Sequence, residues 1–190
     1  MSETGSSGTT PSVITNEWFL EIIFGVRWRY ALIAAFIGDP EKEAYWRAYR
    51  AGMLPEQRVQ RLCNTYFCPS LTVGMRRGTS DFLSFHVIVV DDYGTKVKVG
   101  HPEEVLGTNP HYVIETSPGN YQAGWLMEPE RDLTLVKGML RKLRAAIGAG
   151  DNLTDPMAWR RLPVGVNGKA KYQRKDGAPW QIELASGGQP

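Results

Sequence analysis

The sequence predicts an α+β fold, an antiparallel-rich sheet with helices covering one face. Three observations carry this. Residues 86–90 read His-Val-Ile-Val-Val, an apolar and largely β-branched run of the kind that forms a buried strand. The turn Ser117-Pro118-Gly119-Asn120 joins two strand-like segments, so these neighbours form a hairpin. Leu133, Val136, Leu140, Leu143 and Ile147 fall on one helical face opposite basic residues, and Gly148 and Gly150 end that helix. Helices mixed with hairpin-connected strands indicate α+β.

The remaining elements follow in chain order. Residues 1–15 are read as a disordered tail, since the run up to Pro11 is small and polar with little that could pack. Residues 187–190 look similar, the start of a linker in a chain cut from something longer. Between them 16–186 form one domain, because 190 residues with 42% hydrophobic content build one sizeable core. Trp28–Ile37 is apolar, short and closed by Gly38, Asp39 and Pro40, which predicts a buried strand. Tyr45, Trp46 and Tyr49 lie at helical spacing among charges, which predicts a helix over 41–51, stopped by Gly52 and Pro55. Further strands are predicted at 66–73, 84–91, 112–116, 121–127 and 182–184, with the helix over 132–147.

Charge narrows the function classes. With 22 basic and 20 acidic residues, any nucleic-acid surface must be a local groove rather than the whole protein face. The apolar run 31–37 is too short to cross a bilayer, and no basic-plus-apolar leader precedes it. A soluble, cytoplasmic protein with no membrane partner is expected. Cys63 and Cys68 lack the second ligand pair of a structural zinc site and read as reduced thiols.

Three segments carry chemistry. Asp91 and Asp92 end the central strand and are followed by Tyr93 and Gly94. Adjacent carboxylates repel unless a divalent cation relieves them, and magnesium or manganese prefers such hard oxygens. Successive strand residues face opposite ways, so the two need not bind one ion. Taken alone, Asp-Asp-Tyr-Gly reads equally as a polar turn. The second segment, Thr116 to Gln122, gathers hydroxyls, a glycine backbone and amides that can cradle phosphate, or form a plain hairpin. The third offers Asp155, then Arg160, Arg161, Asn167 and Lys169, a further acid with a guanidinium fork and a point charge suited to a triphosphate.

Together, VIVVDD at 87–92, VIETSPGNYQAGWLM at 113–127 and DPMAWRRLPVGVNGK at 155–169 resemble the archaeo-eukaryotic primases. Within them the chain is most similar to phage primase-polymerase (PrimPol) domains and plasmid replication primases. The resemblance spans about 28–169. It implies an RRM-like palm at about 81–186 and a smaller, partly helical N-terminal module at about 16–80. It implies catalytic, metal-binding acids at Asp91, Asp92 and Asp155, with Asp151 as the alternative to Asp155, and two Mg2+ or Mn2+ ions. Gln122 stands where many members carry His; a Gln can donate to phosphate but cannot act as an acid. Ser117, Asn120, Gln122, Arg161, Asn167 and Lys169 would bind the nucleotide. Where relatives read Arg-Leu-Pro-Gly, Val164 follows Pro163 and glycine comes one step later, at Gly165.

The implied function is template-directed nucleotidyl transfer with pyrophosphate release. Its partners are nucleoside triphosphates, a single-stranded DNA template and primer, and a fused or separate helicase, in a phage- or plasmid-borne protein acting in a bacterial host. Template contacts are expected from Arg76, Arg77, Lys171 and Arg174, with Tyr172 and the Arg141, Lys142, Arg144 group as further candidates. Two rivals remain at this stage. A non-catalytic single-strand-binding module would stack bases on sheet aromatics, and the central strands carry no such pair. A metal-dependent nuclease would use the same acids; the nearest histidine, His86, lies within a strand and reads as a core or edge residue.

Overall fold

The computed structural model describes residues 13–43, 46–93 and 101–185. The chain opens with helix α1 (Asn16–Phe24), an element the sequence reading did not assign; Thr15 caps it, its hydroxyl accepting from the Trp18 N–H. A 3-10 turn over Gly25–Tyr30 leads into β1 (Leu32–Phe36), so the predicted strand loses its first residues to that turn. The helix expected over 41–51 does not form in its described part. Tyr49–Arg50 are strand β2 and Ala51–Met53 a 3-10 turn, while residues 44 and 45 lie outside the described residues. The aromatic spacing has another use: Tyr49 Oη donates to the Ala35 carbonyl at 2.5 Å and accepts from its N–H at 2.8 Å, and Trp46 packs on Phe36 and Tyr66.

After α2 (Gln57–Gln60), the strand expected over 66–73 is two strands, β3 (Asn64–Phe67) and β4 (Ser70–Thr72), in different sheets. Pro69 lies at the break, where a residue without an N–H cannot continue a ladder. Then come β5 (Phe82–Tyr93), α3 (Pro102–Leu106), β6 (Tyr112–Ser117), β7 (Asn120–Glu130), α4 (Leu133–Ile147), β8 (Arg160–Arg161), β9 (Val166–Asn167), β10 (Trp180–Gln181) and β11 (Glu183–Leu184). The expected hairpin, basic helix and final strand are β6–β7, α4 and β11. Asp132 caps α4 by accepting from the Thr134 and Leu135 N–H groups, and Gly148 ends it in the left-handed region.

Among the described residues every strand pair is antiparallel, in keeping with the antiparallel-rich sheet predicted. The strands form two main sheets rather than one: β11-β6-β7-β5-β4 and β2-β1-β3-β8, with β9-β10 as a small ribbon. On β5, Val87 and Val89 pack with α1, Ile33 and Phe67 in one core, while Ile88 and Val90 pack with Val136, Leu140 and Leu143 of α4 in a second. Burial on both faces is why this strand is apolar without alternation. Among the described residues no helix is long and apolar enough to cross a membrane.

Gly124 on β7 packs closely against its neighbouring strand. A Cβ there would stand 2.1 Å from the Tyr112 ring on the paired strand β6. Gly124→Ala is therefore expected to destabilise the domain by about 1–3 kcal/mol, the usual cost of overpacking a filled core, read as a lower urea midpoint at unchanged slope.

Candidate active site

Regular alternation would send Asp91 towards the α1 core side of β5 and Asp92 towards α4. The strand does not stay regular. Asp91 pairs with Gln122 and Tyr93 with Tyr121, so Asp92 is one extra residue, a bulge held at φ 54°. Tyr93 takes the place on the α4 side, edge-on to Trp125, and Asp92 is turned back, so both carboxylates line one cavity of about 360 Å³. The alternation that would send the two aspartates to opposite faces is cancelled by the bulge. Aspartate tolerates the left-handed region better than most residues. Glycine is at ease at this φ and a β-branched residue is not, so Asp92→Gly is expected to be more stable than Asp92→Val by about 1–2 kcal/mol; paired melting curves check this.

The turn between β6 and β7 supplies the next wall. Pro118 and Gly119, the latter at φ 68°, are its central residues, and Asn120 Nδ2 donates to Ser117 Oγ at 2.9 Å. Ser117 and Asn120 line the cavity. Gln122 also lines the cavity, and its amide is engaged within the protein. It is fully buried; its Nε2 donates to the Arg161 carbonyl at 3.0 Å and its Oε1 accepts the Arg161 N–H at 2.9 Å. This side chain stands in for a ladder partner and ties β7 of one sheet to β8 of the other.

Arg161 lines the cavity but is itself bound into the protein. Its guanidinium donates to Asn64 Oδ1, the Val166 carbonyl and Asn167 Oδ1, and lies 4.2 Å from the centre of the Tyr66 ring. Burial lowers its affinity for the proton, and burial raises the Tyr66 phenol to a pKa of about 12. Asn167 is likewise a brace: its Nδ2 donates to the Thr116 carbonyl while its Oδ1 receives Arg161 and the Lys169 N–H. Lys169 stands at the rim, 3.0 Å from Glu41, with Lys171 3.9 Å from the same carboxylate. The displaced glycine of the third motif has a local reason: a Cβ at Gly165 would meet Thr65 Oγ1 at 2.3 Å, while Val164 is buried with its carbonyl bound by Asn16 and Thr65.

The sequence named Tyr172 and Arg160, but not the two features to which they belong here. One is an aromatic wall: Trp46, Tyr66, Trp159 and Tyr172 all line the cavity, with Tyr66 stacked on Phe36 at 5.9 Å. These rings lie outside the central strands where a pair was sought. The other is the setting of Arg160, a buried residue whose Nη1 is ion-paired with Asp91 Oδ2 and whose Nη2 donates to the Asn152 carbonyl at 2.6 Å.

Other candidates lie apart. Asp155 is exposed and does not line the cavity; its Oδ1 accepts the Met157 N–H at 2.9 Å, an Asp-turn that holds the segment before β8. For Asp151 the backbone lies in the 3-10 turn Asp151–Thr154. Arg76 and Arg77 are exposed outside the cavity, Arg77 stacking on Trp159 at 4.5 Å, and Arg174 pairs with Asp176. Arg141, Lys142 and Arg144 belong to α4, which covers the sheet face that Ile88 and Val90 occupy rather than the face of Asp91. His86 is buried, 2.8 Å from Ser84 Oγ, and burial pushes its pKa down to about 4, so it stays neutral as a core residue. Among the described residues no group of three or more His, Cys, Asp or Glu is placed to hold a metal. Two carboxylates on one wall nevertheless suit a magnesium-type ion, which keeps waters and substrate phosphates as its other ligands.

The arrangement of acids, turn and buried arginine coincides with a family match: the model of the RepB DNA-primase N-terminal domain matches residues 71–188, more than half of the chain. The chain belongs to the RepB primase family. Solved structures agree on the fold of this RepB-type domain. It is similar to the AEP domain of the cyanophage S-2L primase-polymerase, at TM-score 0.58 and 18% identity over 84% of this chain and 83% of that one. It is also similar to primase RepB', at TM-score 0.52 and 18% identity over 82% of this chain and half of that one. The catalytic domain of RepB' in complex with initiator DNA aligns at TM-score 0.52 and 21% identity, over 82% and 76% of the two chains. No curated protein sequence matches the domain.

Proposed function

We propose that this RepB-type domain is a primase-polymerase: it joins nucleotides on a single-stranded DNA template by metal-dependent nucleotidyl transfer. The observation that carries the reading is the bulge at Asp92, which turns two adjacent carboxylates into one cavity whose remaining walls offer hydroxyls, amides and cations. Asp91 and Asp92 would hold Mg2+ or Mn2+. When bound, the ion stabilises charge on the phosphoryl oxygens. With Asp155 outside the cavity, a second ion would draw its ligands from the triphosphate and water.

The chain's own residues bind and orient. A 3′-hydroxyl attacks the α-phosphorus, the new P–O bond replaces the bond to the β-phosphate bridge, and pyrophosphate leaves. Ser117 and Asn120 sit where donors can meet the triphosphate, with Lys169 and Lys171 at the rim to neutralise it. Arg161 and Asn167 act mainly by bracing that wall. Trp159, Tyr172 and Trp46 offer flat faces to bases, which any sequence can use. Exposed Arg76, Arg77 and Arg174 remain candidates for the DNA backbone, and a DNA-bound relative of the same fold supports DNA as the template.

An extension assay tests this. Labelled nucleotides incubated with primed and unprimed single-stranded DNA should be incorporated only when template and Mg2+ or Mn2+ are present, and a chelator should stop the reaction. Degradation of the DNA without nucleotides, and no extension with them, would establish the nuclease reading instead.

A further inference from the structure

The interior of this fold holds a cation that the proposed reaction has not used. Arg160, 3% exposed, is fixed in β8 by pairing with Phe67. Among the described residues its one anionic partner is Asp91; Nη2 serves the Asn152 carbonyl and Nε is buried with no partner. A buried guanidinium must be compensated, so Asp91 is committed through Oδ2 and has Oδ1 left to offer the cavity.

Among the described residues Asp91, Asp92 and Glu41 bring negative charge to the cavity, and Arg160 behind Asp91 and Arg161, Lys169 and Lys171 along it bring positive charge. The cations offset part of the pull that the two aspartates exert on a free dication, and the lysines favour an anion.

We propose that Arg160 is an internal counter-ion that keeps the Asp91–Asp92 pair too weakly negative to hold a free divalent cation, so that the cation enters as its complex with a nucleoside triphosphate. The complex carries net negative charge; the lysines would take its phosphates, and Asp91 and Asp92 would hold its metal. Metal entry is thereby coupled to nucleotide entry. Arg160 touches no substrate; it is a positioning residue. The inference rests on the nucleotidyl-transfer reading of the same site.

Mn2+ binding followed by electron paramagnetic resonance tests it without any turnover. Wild-type domain should bind Mn2+ alone weakly, and at least roughly tenfold more tightly with a non-hydrolysable nucleoside triphosphate present. Arg160→Met, which removes the charge and keeps the length, should bind Mn2+ alone roughly tenfold more tightly than wild type, while Arg160→Lys stays near wild type. Arg160→Gln replaces the Met variant if the latter does not fold, and the wild-type comparison needs no variant. Wild type binding Mn2+ equally with and without nucleotide would overturn the proposal, as would uncharged variants no tighter than wild type. If wild type binds no Mn2+ even with nucleotide, the metal reading of the site falls as well, which separates the two failures.

Discussion

Asp91→Asn should abolish nucleotide incorporation, by roughly a hundredfold at the least and more if the ion is lost outright, and it should also cost stability. The two effects have different origins. The amide keeps the shape of the carboxylate but cannot supply the charge that holds a hard divalent cation, so the phosphoryl charge goes unstabilised. The same change leaves the Arg160 guanidinium buried without its anion. A charge-assisted hydrogen bond of this kind contributes about 1.5–3 kcal/mol, and the lower end applies because the Asp91 side chain is 40% exposed. Asp92→Asn should lose a similar factor in activity. Single-turnover incorporation rates of both variants and a urea melt of Asp91→Asn check these effects. Asp91→Asn as stable as wild type, or active near the wild-type level, would count against the roles assigned here.

Gln122→Ala is expected to be the most destabilising single truncation around the cavity, at about 2–5 kcal/mol. Its amide is the partner of both backbone groups of Arg161, and both residues are buried. Truncation leaves a buried N–H and a buried carbonyl unsatisfied, at about 1–3 kcal/mol each, and opens a cavity. Gln122→Leu should recover the volume but not the hydrogen bonds, and remain destabilised. Because the amide joins β7 to β8, the variant should also weaken nucleotide binding by letting the two sheets separate at the site. Chemical denaturation gives the first effect and nucleotide titration the second; a loss below about 0.5 kcal/mol would mean that the clamp contributes little.

Much of the molecule was legible in the sequence because the signals are local. The β5 run, the β6–β7 turn and the apolar stripe of α4 each sit within a dozen or so residues, and all three elements form. What was misread depends on distant partners. Tyr45, Trp46 and Tyr49 imitate a helical face, but Tyr49 spends its hydroxyl on β1 and Trp46 its ring on Tyr66. The split of β3 from β4 had a signal that was passed over, since Pro69 cannot sit inside a central strand.

The site divides in the same way. The motif exposed Asp91 and Asp92, yet their common orientation comes from a bulge fixed by the register against β7, which no local pattern encodes. Gln122 looked like a ligand because its partner lies 39 residues away. Asp155 stands just before Pro156, a turn setting in which a carboxylate commonly caps the backbone, and that is its role here. Of the adjacent arginines, Arg161 was chosen for its place in the motif, but neighbours on a strand reach different partners and it is Arg160 that meets the acid.

The central claim is that Asp91 and Asp92, brought together by the bulge, bind the metal of a nucleotidyl-transfer site. A crystal of the domain grown with Mn2+ and a non-hydrolysable nucleoside triphosphate, with anomalous diffraction recorded, tests it most directly. The account places a manganese peak about 2.0–2.2 Å from a carboxylate oxygen of each aspartate and in contact with the triphosphate. A peak at Asp155 instead, or nucleotide bound with no metal at this pair, would contradict it.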